Sequence, residues 1–208
     1  MEEKKEKKEK KKKNGKSPES KKVLTADNAK VARDEGGKRL ILSAAEHAAV
    51  LQADLEQKRR KALLRHKTHV QQSCELLGEQ LISKDEKDLG HRLIANGWVH
   101  DNSKFHGIEW LYLYDDVKEI SPEMFKLAVI QHRLGNLHHP EYWNGIANMP
   151  RLYLAEFVCD IHARASEFGT DVRDWVKSEA AKKFDFTVQS RVYKDVKYFL
   201  DLLLASPF

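Results

Sequence analysis

Four side chains lie far apart in this sequence, His66, His100, Asp101 and Asp160, yet are of the types that together hold a divalent metal ion. Imidazole nitrogen and carboxylate oxygen suit such an ion, and a water bound to it ionises near neutral pH. The set therefore points to hydrolysis rather than to binding alone. A second group, His132, His138 and His139 in QHRLGNLHHPEYW, puts three imidazoles within eight residues. It can complete a second metal site with Asp101 as the bridge, or be a surface loop whose histidines only hydrogen-bond. Lys104, three residues after Asp101, can neutralise charge developing on a phosphate or simply face solvent. Glu156 and Arg164 lie one turn before and after Asp160. Both are open to ordering a ligand, moving a proton or contacting phosphate, and equally to an ordinary salt bridge. Tyr142 and Trp143 can form one wall of a pocket for a planar group, or merely pack.

Helices must position these residues. Leu63, His66, Val70 and Leu77 recur at helical steps, so His66 turns inward with the core stripe, while His69, about a sixth of a turn away, is its rival. His100-Asp101 ends an apolar helix, where the chain passes into the polar HDNSKF. In LAEFVCDIHARA, Phe157 and Ile161 put Asp160 on an apolar face. An unpaired carboxylate there costs several kcal/mol, so Asp160 needs a cation or strong donors.

The same punctuation runs along the whole chain. Ser43 with Glu46 has the form of a capping box, opening an apolar-periodic run to Leu81 that reads as two helices or one bent one. Ser83 with Glu86 repeats the form for a helix to about Val99. Ser121-Pro122 starts another to about Leu134, and Pro150 one that ends near Gly169. Thr170 is expected to cap the next helix, and residues 187–205 form an amphipathic last one. No run alternates as a strand does and no internal repeat is present. The expected fold class is all-α, a compact helical bundle at 39–208 behind a disordered Lys/Glu-rich tail at 1–38.

The chain has 208 residues and a formal charge of +5, but the excess is local. Residues 1–22 carry 11 lysines and 5 glutamates, which leaves 26 basic against 27 acidic residues in the rest. A near-neutral body argues against a dedicated face for duplex nucleic acid, and the tail reads as a solvated segment or a loose contact for nucleic acid, an anionic surface or a targeting receptor. No apolar stretch approaches the ~20 residues that span a bilayer and no secretory signal opens the chain, so a cytoplasmic protein with no membrane partner is expected. Cys74 and Cys159 sit in apolar-periodic segments that suit reduced, packed thiols, with a disulfide between them left open.

Taken together, H-K-T-H-V at 66–70, V-H-D at 99–101 and C-D at 159–160 resemble the HD-domain superfamily of metal-dependent phosphohydrolases. HDNSKF, HHPEYW and MPRLYLAEFVCD are similar more closely to a family of small phage and bacterial proteins within it, over roughly residues 60–168. The resemblance implies an HD-like helical fold with His66, His100, Asp101 and Asp160 on a first metal, and His132 with His139 or His138 on a second. Lys104 resembles the lysine of the H-D-x-x-K in cyclic-dinucleotide hydrolases. Two departures stand out: the Gly-Tyr-Pro of those enzymes is missing, and Lys104 replaces the glutamate that small nucleotidases of the superfamily carry after the doublet.

The expected function is thus a phosphohydrolase that cleaves a phosphate ester or anhydride of a nucleotide or small phosphorylated metabolite, using one or two divalent ions (Mn, Fe, Co, Ni or Mg). Asp101, Lys104 and Glu156 are its expected catalytic residues, and Lys104, Arg164, His138 and Trp143 its expected substrate contacts. If phage-encoded, it would work in host cytoplasm, and a homo-oligomer is admitted. Two other readings stay open: a di-iron oxygenase, which a minority of proteins with this fold and the extra histidines are, and a non-catalytic binding module.

Overall fold

Ser43 and Glu46 close the capping box: the Ser43 N–H donates to Glu46 Oε2 at 2.8 Å and the Glu46 N–H to Ser43 Oγ at 3.3 Å. The computed structural model describes residues 43–205, so the expected tail at 1–38 lies outside the described residues. The chain divides into two units, 1–49 and 50–208. The first contributes only Ser43–Ala49 to the described residues, the start of the first helix, and the site described below lies wholly in the second.

Among the described residues every regular element is helical. Helix α1 spans Ala44–Ser83 as one element rather than two. Its sequence is rich in Ala, Leu, Glu, Gln and Lys, contains no proline and has its one glycine near the end, so no residue in it breaks a helix. α2 is Lys87–Val99, α3 Gly107–Tyr112, α4 Asp115–Lys118, α5 Pro122–Gly135 and α6 Arg151–Phe168. α7 (Val172–Trp175), a π-helical turn (Val176–Ala180) and α8 (Ala181–Lys183) follow, and α9 is Arg191–Ala205. Three short 3-10 turns, Asn102–Phe105, Pro140–Trp143 and Ile146–Asn148, carry the irregular chain between α2 and α6.

Two expected caps form differently. Ser83 belongs to the last turn of α1, where its hydroxyl donates to Gln80 O at 2.7 Å, so it is not free to cap α2. Glu86 instead accepts from Arg151 and from Tyr198 Oη at 2.6 Å, tying the α1–α2 corner to α6 and α9. Asp171, not Thr170, caps α7, accepting from the backbone N–H of Arg173 at 2.7 Å and Asp174 at 3.3 Å. Thr170 is used up one step earlier, its N–H donating to Ala165 O at 2.9 Å to close α6 around Gly169, whose φ is +65°.

The core lies where α6 packs on α2 and α9. Leu154, Val158 and Cys159 of α6 are buried with Leu77 and Leu81 of α1, Leu93 of α2, and Val196 and Phe199 of α9. α1 and α2 approach so closely that side chains are excluded between them. A Cβ on Gly90 would lie 2.5 Å from Gly78 O, and one on Gly97 2.7 Å from Cys74 Cβ. This close crossing brings the middle of α1 beside the end of α2. Gly90→Ala is therefore expected to lower stability by about 1–3 kcal/mol in urea unfolding, because the clash is with backbone and cannot be relieved by a rotamer change.

Candidate metal centre

α1 offers His66 from its buried stripe of Leu63, His66, Val70 and Leu77, as its helical period requires. One residue on, Lys67 reaches across to α2, its Nζ donating to Trp98 O at 2.6 Å, His100 O at 3.0 Å and Asn102 Oδ1 at 2.9 Å. Lys67 thus satisfies carbonyls that the end of α2 leaves unpaired and pins the His100-Asp101 corner to α1. At that corner Asp101 takes a left-handed backbone, φ +56°, which turns its carboxylate inward.

Asp101 is the hub. Its Oδ2 lies 3.5 Å from His100 Nε2 and 3.8 Å from His66 Nε2, while its Oδ1 lies 3.5 Å from His132 Nε2 and 3.6 Å from His138 Nε2. Each carboxylate oxygen thus faces a separate pair of imidazoles, the arrangement expected of a bridging ligand. Asp160, from α6, sits on the His66 side with Oδ1 3.1 Å from His66 Nε2. The ligand atoms fall into three overlapping groups, each within 4.8 Å: His66, His100 and Asp160; His100, Asp101 and His138; His132, His138 and His139. All six expected metal residues, His66, His100, Asp101, His132, His139 and Asp160, converge here.

The far edges of the rings explain why. His66 Nδ1 meets Glu167 Oε1 at 3.1 Å, His100 Nδ1 meets Glu156 Oε1 at 3.0 Å, and His132 Nδ1 meets Glu109 Oε2 at 2.7 Å. His138 Nδ1 also turns to Glu156 Oε1, at 3.5 Å. An ionised carboxylate only accepts, so each Nδ1 carries the proton and each Nε2 points inward with a bare lone pair. Burial pushes His132 down to about 2 and His139 to about 3, which keeps both imidazoles neutral. Burial opposes ionisation of Asp101, Asp160 and Glu156, yet neighbouring imidazoles, and Lys104 beside Asp101, outweigh it and hold all three below the usual carboxylate range.

Several of these inward atoms have no hydrogen-bond partner. His66, His100 and His138 Nε2 with Asp101 and Asp160 Oδ1 make up five of the seven such buried side-chain atoms among the described residues. His66 Nε2 and Asp160 Oδ1 are 3.1 Å apart and still not aligned for a bond. Orphaned buried polar atoms each cost about 1–3 kcal/mol, and five clustered at one point fit a cation. These His and Asp groups can hold a metal ion.

The remaining expected residues divide. Lys104 Nζ contacts Asp101 Oδ2, and Lys104 lines a cavity of about 440 Å³ together with His66, Lys58, Arg59, Arg164 and Glu109. Arg164 is half-exposed and pairs with Glu167. Glu156, expected as a catalytic group, stands behind His100 and accepts from the Asn96 amide at 2.9 Å, so it positions the imidazole instead. His138, expected to contact substrate, is buried among the ligands. Trp143 is not a pocket wall: its ring stacks on Tyr153 at 5.4 Å and its Nε1 donates to Leu137 O. His69 is outside the cluster and shares Glu167 with His66.

Sequence reasoning missed Glu109 and Glu167. Glu167 follows Asp160 and Arg164 at helical steps on α6, a signal present in the pattern, whereas Glu109 reaches His132 across a fold contact with no local trace. Glu109→Gln and Glu156→Gln are each expected to weaken metal affinity by about 10–100-fold, read by competition with a chelating dye. An amide nitrogen facing Nδ1–H no longer fixes the ring.

Fold and site together define an all-helical protein with a buried centre of histidines gathered around a carboxylate. The chain belongs to the family described as Family of unknown function (DUF5662), whose model matches residues 55–201. That span holds every residue of the centre. No curated protein and no solved structure matches the chain. Among the described residues, no helix is long and apolar enough to cross a membrane.

Proposed function

We propose that this chain is a cytoplasmic, metal-dependent phosphohydrolase that cleaves a phosphate ester or anhydride of a nucleotide or small phosphorylated metabolite. The observation that carries the reading is the convergence of five partnerless buried ligand atoms beside a cavity bordered by Lys58, Arg59, Lys104 and Arg164. The likeness of its H…HD…D pattern to the HD-domain superfamily supports it, and so do the free, buried Cys74 and Cys159, which suit a reducing compartment.

His66, His100, Asp101 and Asp160 would hold a first divalent ion, and Asp101 with His132, His138 and His139 a second. Such ions supply a water ionised near neutral pH and positive charge for the phosphoryl oxygens. The protein does the rest. Glu167, Glu156 and Glu109 keep the imidazole lone pairs aimed inward. Lys104, held by Asp101, presents a cation at the cavity floor where phosphate charge develops. The basic border attracts an anionic substrate without a duplex-binding face.

The test is a screen of nucleoside mono- and triphosphates, cyclic nucleotides and generic phosphodiesters, each with manganese, cobalt, nickel, iron or magnesium. Turnover that depends on the added metal and ends with chelator is expected, and no turnover in any combination would sink the reading. The carboxylate-bridged, histidine-rich geometry also suits a di-iron oxygenase. Paired iron retained through aerobic purification, with no phosphatase activity under any metal, would favour that second reading.

A further inference from the structure

A second cleft opens beside Asp160. It has a volume of about 290 Å³, and Asp160 and His139 form part of its inner wall. Its outer wall is aromatic: Phe168 at the end of α6, Trp175 at the end of α7, and Phe184 just after α8. Phe168 leaves 74% of its surface open to water, while Trp175 and Phe184 are partly buried against the core. Cations border these rings. Arg133 and Arg164 line the cleft, and Lys183 Nζ lies 4.8 Å from the Phe184 ring centroid.

The two openings differ in chemistry. The cavity on the His66 side is charged and carries four basic side chains, while the cleft on the Asp160 side is largely apolar. Arg164 lines both. A cleft with aromatic lining that ends on metal-ligand candidates suits a flat, apolar ring whose charged end reaches the centre.

We propose that the cleft formed by Phe168, Trp175 and Phe184 binds a planar aromatic or heteroaromatic ring carried by the substrate, leaving its phosphoryl group at Asp160 and its further anionic parts toward Lys58, Arg59 and Arg164. The inference rests on the phosphohydrolase reading and deepens it. The substrate is then an aromatic phosphate, not a sugar or polyol phosphate. The ring is held by stacking, so the cleft discriminates by flatness more than by hydrogen-bond pattern.

The experiment separates the two levels by binding, not turnover. Manganese-loaded protein is titrated calorimetrically with phenylphosphonate and with methylphosphonate, neither of which is a phosphate ester, for the native chain, Phe168→Ala and Trp175→Ala. Phenylphosphonate is expected to bind about 10-fold more tightly than methylphosphonate. Each variant should lose that preference while keeping its methylphosphonate affinity, which also shows that it has folded. Equal affinity of the native chain for the two ligands would overturn the aromatic cleft and leave the phosphate site standing. A preference that survives both substitutions would overturn the assignment to these rings. Binding of neither ligand would overturn the phosphohydrolase reading and this inference with it.

Discussion

Replacing Asp101 with asparagine is expected to lower kcat/KM for metal-dependent phosphate hydrolysis by on the order of 10³-fold, because the bridge between the two imidazole pairs is lost. Asparagine is the informative choice. It tolerates the left-handed backbone that Asp101 adopts at φ +56°, so the variant should fold and bind less metal per chain. The neutral amide can present one oxygen, not two, to imidazoles now 3.5–3.8 Å from the carboxylate. Metal content by elemental analysis, taken with activity, checks the result. Full activity would exclude a metal enzyme centred on Asp101 and favour a binding module, which should not depend on that charge.

The second large effect is on stability. Manganese or cobalt at about 100 times its dissociation constant is expected to stabilise the native chain by about 2.7 kcal/mol, raising Tm by roughly 5–11 °C. The direction follows from the site: ligand atoms that lack partners in the fold gain them with the ion, and none of the centre exists in the unfolded chain. Chelator should reverse the gain. His66→Ala, which removes one inward nitrogen, should halve it or more, while a surface substitution such as Lys87→Ala should leave it whole. A Tm insensitive to every divalent ion would mean that the cluster is not a metal site.

The ligand residues were legible because their types are rare in apolar periodic segments. An imidazole on the Leu63–Leu77 stripe and a carboxylate between Phe157 and Ile161 break the pattern of a core, and the break marks the site. The helices were legible from their punctuation at Ser43, Ser121-Pro122, Pro150 and Gly169, where local chemistry decides the boundary. What sequence could not show depends on distance across the fold. Ser83 looks like a cap until α1 is seen to continue through it. Glu156 looks catalytic beside Asp160 until His100 and Asn96 are found on its carboxylate. Trp143 resembles a pocket wall because its partner, Tyr153, lies across a turn in the next helix. The aromatic cleft draws on three separate elements, so no window of sequence contains it.

The left-handed turn at Asp101 has one more consequence, for how the protein can change. A glycine there would relax the backbone, yet it would also remove a carboxylate that the neighbouring imidazoles and Lys104 hold ionised against burial. Lys104 would then lose its partner beside four imidazoles. The strained turn is thus held in place by the charge it carries, and backbone and side chain pull this position toward different residues.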